Sequence, residues 1–307
     1  MTENFVINQF EGKNFTAFHA DCVEVTAALP DNSIDFSIFS PPFASLYTYS
    51  DSDRDMGNSK NYNEFFDQFG FLVKNLYRII KPGRIVAFHC MNIPAMKERD
   101  GYIGLKDFRG DLIRAFQKEG FIFHSEHCIW KDHLIEATRT KAIGLMHKQL
   151  CKDSIMSRAG IPDYLIAMRK PGENENAIQH PDGLLDFAGE NPPQTGVMSH
   201  ENWRRYASPV WMDIDQTNTL QGQSARENDD ERHICPLQLD VIARSLQLWS
   251  CENDVVLSPF MGIGSEGYES LKRNRKFIGI ELKESYFKAA VKNLQIAEDI
   301  KSEGELF

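Results

Sequence analysis

The chain has 307 residues, 42% of them hydrophobic, and a formal net charge of −10 at pH 7. It is long enough to bury a sizeable core, and its acidity excludes a protein that coats nucleic acid by bulk electrostatic attraction. Because the start, MTENFVINQF, has no basic residues before an apolar run, and no stretch approaches ~18 uninterrupted apolar residues, we predict a cytoplasmic protein without a membrane anchor.

The first half of the chain alternates apolar strands with helices. The predicted strands are FTAFHA (15–20), IDFSIF (34–39), RIVAFHC (84–90), FIFHSEHCIW (121–130) and DYLIAMRK (163–170). The predicted helices are CVEVTAAL (22–29) and, from apolar residues at three- and four-residue spacing, about 62–80 and about 107–118.

The regular pattern stops between residues 171 and 232, where Pro, Gly, Asn and acidic residues dominate, so we predict an inserted loop region or small module there. It then resumes with a helix over about 238–250, strand DVVLSPF (254–260), helix SEGYESLKRN (265–274), strand KFIGIEL (276–282) and a helix over about 284–297. Residues 1–170 and 233–307 are therefore predicted to form one α/β domain. It would have about seven strands in a mostly parallel sheet with helices on both faces.

Six cysteines are spread singly along the chain, without a CxxC pair or histidines at metal-ligand spacing. We therefore predict reduced thiols and no metal site.

The strand IDFSIF ends in an unusual way, because Ser40 is followed by Pro41, Pro42 and Phe43. Proline fixes φ and has no N–H, so the two prolines cannot extend a central strand. The result is a rigid elbow that displays the Ser40 hydroxyl, the Pro41 carbonyl and the Phe43 ring.

A second motif lies near the C-terminus, where a strand runs directly into Gly262 and Gly264, a helix begins near Ser265, and the next strand ends at Glu281. Glycines allow a ligand to approach the backbone closely, and an acid at the next strand tip can accept both hydroxyls of a ribose. The spacing predicts a pocket for a nucleoside cofactor. By itself it does not separate a dinucleotide from S-adenosylmethionine.

Together the two motifs resemble those of amino-group DNA methyltransferases. VLSPFMGIGSEG with FIGIEL is similar to their S-adenosylmethionine motif, a strand running into DPFxGxGT, and FSPPF is similar to their catalytic tetrapeptide (D/N/S)PP(Y/F). Protein glutamine methyltransferases also carry an NPPY-type tetrapeptide, but their cofactor motif comes first. The reversed order here resembles the permuted, beta class of DNA amino-methyltransferases, and the resemblance covers about 15–170 and 233–297.

The resemblance implies a Rossmann-like, S-adenosylmethionine-dependent methyltransferase fold. It assigns Asp21 and Cys22 to the adenine of the cofactor and Glu281 to the ribose hydroxyls. The methionine and ribose side is assigned to Ser258, Pro259, Phe260, Gly262, Gly264 and Ser265. Ser258 stands where the family has Asp, and Ser265 stands where it has Thr. His233 and Pro236 match the start of the helix that precedes the cofactor strand.

The elbow then becomes the catalytic element, formed by Ser40, Pro41, Pro42 and Phe43. The lone pair of an exocyclic amine is delocalised into the base, and acceptors aimed at its N–H groups hold it in a form that can attack a methyl group. The Pro41 carbonyl and Ser40 Oγ are such acceptors, and Phe43 can stack on a flipped base. In the family, a serine at the first position favours N4 of cytosine, with N6 of adenine as the alternative.

Double-stranded DNA is the implied substrate. The segment from residue 131 to residue 170 contains eight basic and four acidic residues, so its local net charge is about +4. The predicted DNA contacts are Lys131, Arg139, Lys141, Lys148 and Arg158, together with Arg204 and Arg205 in HENWRRYASPVW. Trp203 and Trp211 in that segment either stack on bases or form the small core of an insert.

The resemblance also implies a bacterial or phage-encoded enzyme of a restriction-modification system that acts at the nucleoid. A homodimer and a cognate restriction endonuclease are the expected partners. Two other functions stay open at this point, a catalytically silent DNA-binding protein of the same fold and a methyltransferase for a protein glutamine. The intact elbow and glycine motifs argue against the silent protein.

Overall fold

A computed structural model describes residues 6–43, 56, 59, 62–95, 97–140, 144–179, 199–220 and 236–304. The strands are β1 (Val6–Glu11), β2 (Phe15–Ala20), β3 (Ile34–Phe39), β4 (Ile80–Met91), β5 (Ile93–Ala95), β6 (Gly104–Lys106), β7 (Ile122–Ile129), β8 (Asp163–Arg169), β9 (Val210–Trp211), β10 (Val255–Ser258) and β11 (Lys276–Glu281). The helices are α1 (Cys22–Ala28), α2 (Tyr62–Ile79), α3 (Lys97–Asp100), α4 (Phe108–Lys118), α5 (His133–Thr140), α6 (His147–Leu150), α7 (His200–Tyr206), α8 (Leu239–Trp249), α9 (Ser265–Lys272) and α10 (Glu284–Gly304).

In the described part of the chain, nine strands form the main sheet in the order β1-β2-β11-β10-β3-β4-β8-β7-β9. From β2 to β4 all neighbours are parallel, whereas β1 pairs antiparallel with β2 and β8 pairs antiparallel with β4 and β7. The chain leaves β3 toward β4 on one side and leaves β10 toward β11 on the other. The strand order therefore reverses between β3 and β10, and such a switch point opens a crevice at the carboxyl ends of the strands.

Helices cover both faces of the sheet. Phe65 and Leu72 of α2 and Phe116 of α4 are fully buried on one face, and Ile242 of α8 and Leu294 of α10 are fully buried on the other. No helix within the described ranges is both long and apolar enough to cross a membrane. The predicted α/β architecture is confirmed.

Every strand predicted from the sequence is present, with ends that differ by a residue or two, except that β4 begins at Ile80 and so includes KPG. The last helix continues to residue 304 instead of about 297. Strand β1, the β5–β6 hairpin, β9 and the short helices were not predicted. Strand β1 is largely exposed and its apolar residues do not alternate with polar ones, and β9 has only two residues, so neither carries a hydrophobic period.

Part of the irregular segment 171–232 packs on the main sheet. Val210 and Trp211 pair with the end of β7, and the fully buried Trp211 ring stacks on His127 with ring centroids 4.3 Å apart. Trp203, by contrast, is 52% exposed. Trp211 is thus a core residue of the whole domain.

A buried charge cluster joins β3, β4 and β10 at their amino-terminal ends. Arg84 Nη2 lies 3.1 Å from Asp35 Oδ1 and 2.9 Å from Asp254 Oδ2. Asp35 Oδ2 also accepts the Val255 N–H at 2.9 Å, and Asp254 Oδ2 accepts the Cys251 N–H at 2.8 Å. Burial and the nearby Asp35 raise the pKa of Asp254, although Arg84 opposes this. Arg84 thus bridges two carboxylates that are far apart in the sequence, and Lys81 Nζ also pairs with Asp35 Oδ1, at 2.5 Å.

We expect Arg84→Ala to lower the free energy of unfolding by about 3–5 kcal/mol, because it leaves the buried Asp254 carboxylate without its cation and the Asp35 carboxylate with Lys81 alone. Urea unfolding followed by circular dichroism measures the change. Arg114→Ala is the matched control, since the Arg114 side chain is 60% exposed and its carboxylate partners are on the surface. It should cost about 0–1 kcal/mol. Equal losses in the two variants would contradict this account of Arg84.

Candidate functional site

A cavity of about 190 Å³ lies at the switch point, at the carboxyl ends of β2, β3, β10 and β11. It brings together most of the residues that the sequence predicted for the cofactor and for catalysis. These are Asp21, Cys22, Ser40, Pro41, Pro42, Phe43, Pro259, Phe260, Gly262, Ser265 and Glu281. Ser258 and Gly264 do not line the cavity, although their neighbours Pro259, Ile263 and Ser265 do. Pro236 is at its wall, and His233 lies outside the described residues.

The turn between β10 and α9 depends on two glycines with positive φ. Gly262 has φ +52°, and no atom lies within 4 Å of the place where a Cβ would stand. Gly264 has φ +89° and is the N-cap of α9, and a Cβ there would lie 3.3 Å from the backbone of Ala290. Gly262 therefore leaves the backbone open to a ligand, while Gly264 allows close packing on α10.

Glu281 at the tip of β11 ties this turn to the neighbouring strand. Its Oε2 accepts the Gly262 N–H at 2.9 Å, and its Oε1 accepts the Lys283 N–H at 2.9 Å. The carboxylate is partly exposed and lines the cavity. It is thus held in a fixed position beside the open glycine.

Asp21 stands at the entrance of α1 and caps the helix. Its Oδ1 accepts the N–H of Val23 at 2.7 Å and that of Glu24 at 3.3 Å, which satisfies two of the free amides of the first turn. Burial, and then the charge of Asp21, raise the pKa of the Cys22 thiol, so Cys22 presents a neutral sulfur to the cavity.

The elbow after β3 contacts two polar residues that were not predicted from the sequence. Ser40 Oγ lies 3.2 Å from His89 Nδ1, and His89 Nε2 lies 3.0 Å from Asp163 Oδ2. The second contact has ion-pair distance, although its angle is outside hydrogen-bond geometry. Lys131 Nζ binds the same Asp163 oxygen at 2.6 Å. The only sequence signal is position, because His89 lies near the end of one buried strand and Asp163 begins another, at the edge of the sheet that carries the elbow.

Three polar side chains at the ends of the glycine turn are buried, those of Ser258, Ser265 and Glu266. Within the described residues, Ser258 Oγ and Ser265 Oγ have no hydrogen-bond partner, although both side chains are buried. Glu266, in the first turn of α9, is 4% exposed and lines the cavity. Burial, reinforced by the nearby Glu281, raises the pKa of Glu266 to about 8 despite an opposing hydrogen bond from its own amide. Glu266 is therefore mostly protonated at pH 7, and it was not among the residues predicted from the sequence.

The residues predicted to contact DNA are dispersed. Lys148 and Arg204 are exposed, and Arg158 is partly buried. Arg205 binds Asp213, which Arg244 also contacts. The side chain of Arg139 and all of Lys141 lie outside the described part of the chain. Lys131 is mostly buried, since its ammonium is directed at Asp163, and Glu136 lies 3.8 Å away.

Comparison with known proteins gives a consistent result. A family profile described as DNA methylase matches residues 34–292. The orphan methyltransferase M.BamHII of Bacillus amyloliquefaciens is 24% identical over 268 residues, which are 86% of this chain and 90% of that protein.

Two solved structures share the fold. TTHA0409 of Thermus thermophilus, assigned as a DNA modification methylase and solved with S-adenosyl-L-methionine, superposes with a TM-score of 0.62 at 19% identity and covers 91% of this chain and 93% of its own. The PvuII DNA methyltransferase, which is cytosine-N4-specific, superposes with a TM-score of 0.62 at 15% identity over 96% of this chain and 94% of its own. The predicted Rossmann-like methyltransferase fold is confirmed.

The raised pKa of Glu266 has a measurable effect on stability. Between its ordinary value of 4.5 and about 8, the folded state binds a proton that the unfolded state does not. The stabilisation of the folded state by this proton is therefore complete below pH 4.5. It is lost as the pH rises toward 8, and the free energy of unfolding then falls by up to about 1.4 kcal/mol per pH unit.

Glutamine is a neutral isostere of protonated glutamate. We therefore expect Glu266→Gln to remove this loss, so that its free energy of unfolding falls less than that of the parent when the pH rises. Urea unfolding at about pH 5.5 and pH 8.5 measures the difference. Glu284→Gln is the control, because Glu284 is exposed on α10, where it pairs with Lys288 one turn along the helix. The same pH dependence in the parent and in Glu266→Gln would contradict a buried, protonated Glu266.

Proposed function

Since this chain belongs to the DNA methylase family, whose members methylate N4 of cytosine or N6 of adenine with S-adenosyl-L-methionine, we propose that its own target is N4 of cytosine. The observation that supports this target is the elbow at the switch-point cavity, which begins with Ser40 rather than with an acid. N6 of adenine is the alternative.

The groups around the cavity fit the cofactor. Gly262 leaves open space at its Cα, the Glu281 carboxylate is fixed beside it, and Ser258 Oγ and Ser265 Oγ are buried polar groups without a partner in the described chain. When bound, S-adenosyl-L-methionine supplies a methyl group on a positively charged sulfur. We propose that Glu281 accepts hydrogen bonds from the ribose hydroxyls and that polar groups near the glycine turn bind the ammonium and carboxylate of the amino-acid end.

Asp21 and Cys22 complete the proposed cofactor site at the adenine. The backbone of α1 begins there, and the neutral Cys22 sulfur offers an apolar contact beside the capped amides. Pro259, Phe260 and Gly264 shape the turn that holds the cofactor.

The elbow is the proposed site of the base. The Pro41 carbonyl and Ser40 Oγ would each accept one N–H of the exocyclic amine and so make its lone pair available for in-line attack on the methyl group. Pro42 keeps the turn rigid, and Phe43 offers its ring to the flipped base. Hydrogen-bond acceptors in a fixed position suffice here, because the electrophile is already activated.

DNA would approach across the edge of the sheet that carries the cavity. The segment between β7 and β8 leaves and re-enters the sheet at this edge, and it carries Lys148 and Arg158. We propose these residues and Arg204 as phosphate contacts, with residues 171–232 as a target-recognition region. A homodimer and a cognate restriction endonuclease remain predictions.

Nucleoside mass spectrometry tests the proposed target. The purified enzyme is incubated with S-adenosyl-L-methionine and unmethylated bacterial genomic DNA, and the DNA is digested to nucleosides. We expect N4-methylcytosine. N6-methyladenine would establish the alternative target, and absence of both over a range of DNAs would favour a silent DNA-binding protein.

We expect Glu281→Ala to weaken cofactor binding by roughly 10- to 100-fold, because it removes charge-assisted hydrogen bonds worth about 1.5–3 kcal/mol. Isothermal titration calorimetry with S-adenosylhomocysteine measures the dissociation constant. Glu284→Ala, three residues along the chain and exposed, should leave it unchanged. An unchanged constant in Glu281→Ala would remove Glu281 from the cofactor site.

We expect Phe43→Ala to leave cofactor affinity nearly unchanged and to reduce turnover on DNA, because base stacking on an aromatic ring is worth about 1–3 kcal/mol. The two properties are measured by calorimetry and by methyl transfer from labelled cofactor. Phe71→Ala is the control, since Phe71 is 64% exposed on α2. Loss of cofactor binding with normal turnover would show that Phe43 belongs to the cofactor site instead.

A further inference from the structure

A line of polar contacts leads from the elbow into the protein. It runs from Ser40 Oγ to His89 Nδ1 at 3.2 Å, from His89 Nε2 to Asp163 Oδ2 at 3.0 Å, and from that oxygen to Lys131 Nζ at 2.6 Å. His89 is 8% exposed and Asp163 is 2% exposed. Only Ser40, at one end of the line, lines the cavity.

The sheet brings these residues together. His89 lies near the end of β4, and the antiparallel β8 begins with Asp163, which pairs with Met91 of β4 and Ile129 of β7. Because side chains alternate along a strand, His89, Asp163 and Leu165 share one face, whereas Cys90 and Tyr164 are on the other. The pairing register of β4 and β8 therefore brings His89 and Asp163 together inside the protein.

The charged groups around His89 can be named for the described part of the chain. Asp163 contacts it from β8, Lys131 approaches Asp163 from the segment after β7, and Glu136 of α5 lies 3.8 Å from Lys131. Burial alone raises the pKa of Asp163, but His89 and Lys131 outweigh burial, and the pKa lies below its ordinary value. Asp163 is thus an ionised carboxylate beneath His89.

We propose that His89 is a positioning residue for methyl transfer, which acts through Ser40 and is itself oriented by Asp163. This inference rests on the proposed function. A carboxylate beside Nε2 favours the tautomer that carries its proton there, which leaves Nδ1 as an acceptor. The Ser40 hydroxyl then donates to Nδ1, and both lone pairs of Ser40 Oγ are directed away from its own proton, toward the amine of the base.

The same contacts provide a route for the proton that the reaction releases. The amine nitrogen gives its lone pair to the methyl carbon, the carbon–sulfur bond breaks, and its electron pair stays on sulfur. The methylated nitrogen then carries a positive charge and one proton too many. That proton passes to Ser40 Oγ while the Ser40 hydroxyl proton passes to His89 Nδ1, and the imidazolium lies against Asp163.

Lys131 is the second, cationic partner of the Asp163 carboxylate. It shares Asp163 Oδ2 with His89, so the carboxylate is partly neutralised before the reaction. Lys131 therefore belongs to this line of contacts through Asp163, a role that differs from the DNA contact predicted from the sequence.

The test compares His89→Asn and Asp163→Asn with the parent enzyme in single-turnover methyl transfer to DNA at several pH values. We expect the parent rate to fall on the acid side, because a protonated imidazole cannot accept the Ser40 proton. His89→Asn keeps an oxygen acceptor near Nδ1 but cannot take a proton. Its rate should fall by about 100-fold or more and lose the acid limb.

Cofactor affinity, measured with S-adenosylhomocysteine, should stay within about twofold in both variants, which separates this role from a general loss of structure. A second readout needs no activity. Nitrogen NMR of histidine-labelled protein, without cofactor or DNA, should show His89 as the Nε2–H tautomer, and Asp163→Asn should shift it toward Nδ1–H. His124→Asn is the matched control, because His124 is exposed on β7 near the opposite edge of the sheet.

The outcomes are distinct. A parent enzyme that methylates DNA, together with a His89→Asn variant of equal rate and unchanged acid limb, would overturn the proposal while leaving the function intact. An Nδ1–H tautomer in the parent would overturn it as well. A parent enzyme that transfers no methyl group to any DNA would contradict the proposed function instead, and the tautomer would still report on His89.

Discussion

The parallel pairing of β3 with β10 is the constraint on which the rest of the molecule depends. The two strands come from opposite ends of the sequence, and Asp35 and Val255, which bond to each other, are 220 residues apart. Ser37 Oγ donates a hydrogen bond to the Leu257 carbonyl at 2.9 Å, and Arg84 and Lys81 neutralise the acids at the base of the strand pair. Because the elbow follows β3 and the glycine turn follows β10, this register alone sets the distance between the two halves of the site.

The two halves have different physical characters that suit their tasks. The turn after β10 presents backbone, buried hydroxyls and two acidic side chains, of which Glu281 is fixed by amides and Glu266 is held neutral by burial. The elbow after β3 presents a ring, a carbonyl and one hydroxyl. A site of this kind selects among substrate amines by the geometry of its hydrogen-bond acceptors, because neither half offers an exposed strong base.

Much of this could be predicted from the sequence, because the informative residues are local. Apolar runs with period two or 3.6 define β3, β10 and the long helices, and the elbow and the glycine turn are each recognisable within a few neighbouring residues. His89 and Asp163 could not be predicted in the same way. Their roles arise from the β4–β8 register, which leaves no mark on either segment alone. The contact of Lys131 with Asp163 could not be predicted for the same reason, since a sequence shows a charged residue but not its partner on another strand.

The interleaved order of the strands also shapes how the chain is made. β2 is bordered by β11, and β3 by β10, so both early strands keep an open edge until residues 255–281 have been synthesised. Pairing over so large a sequence separation is slow, and unpaired edges favour aggregation while they last. A nascent chain on the ribosome therefore carries most of its apolar core with the centre of its sheet missing. The last strand pair to emerge, β10 and β11, closes the sheet and completes the site in one step. An incomplete translation product therefore has neither a continuous sheet nor a complete site.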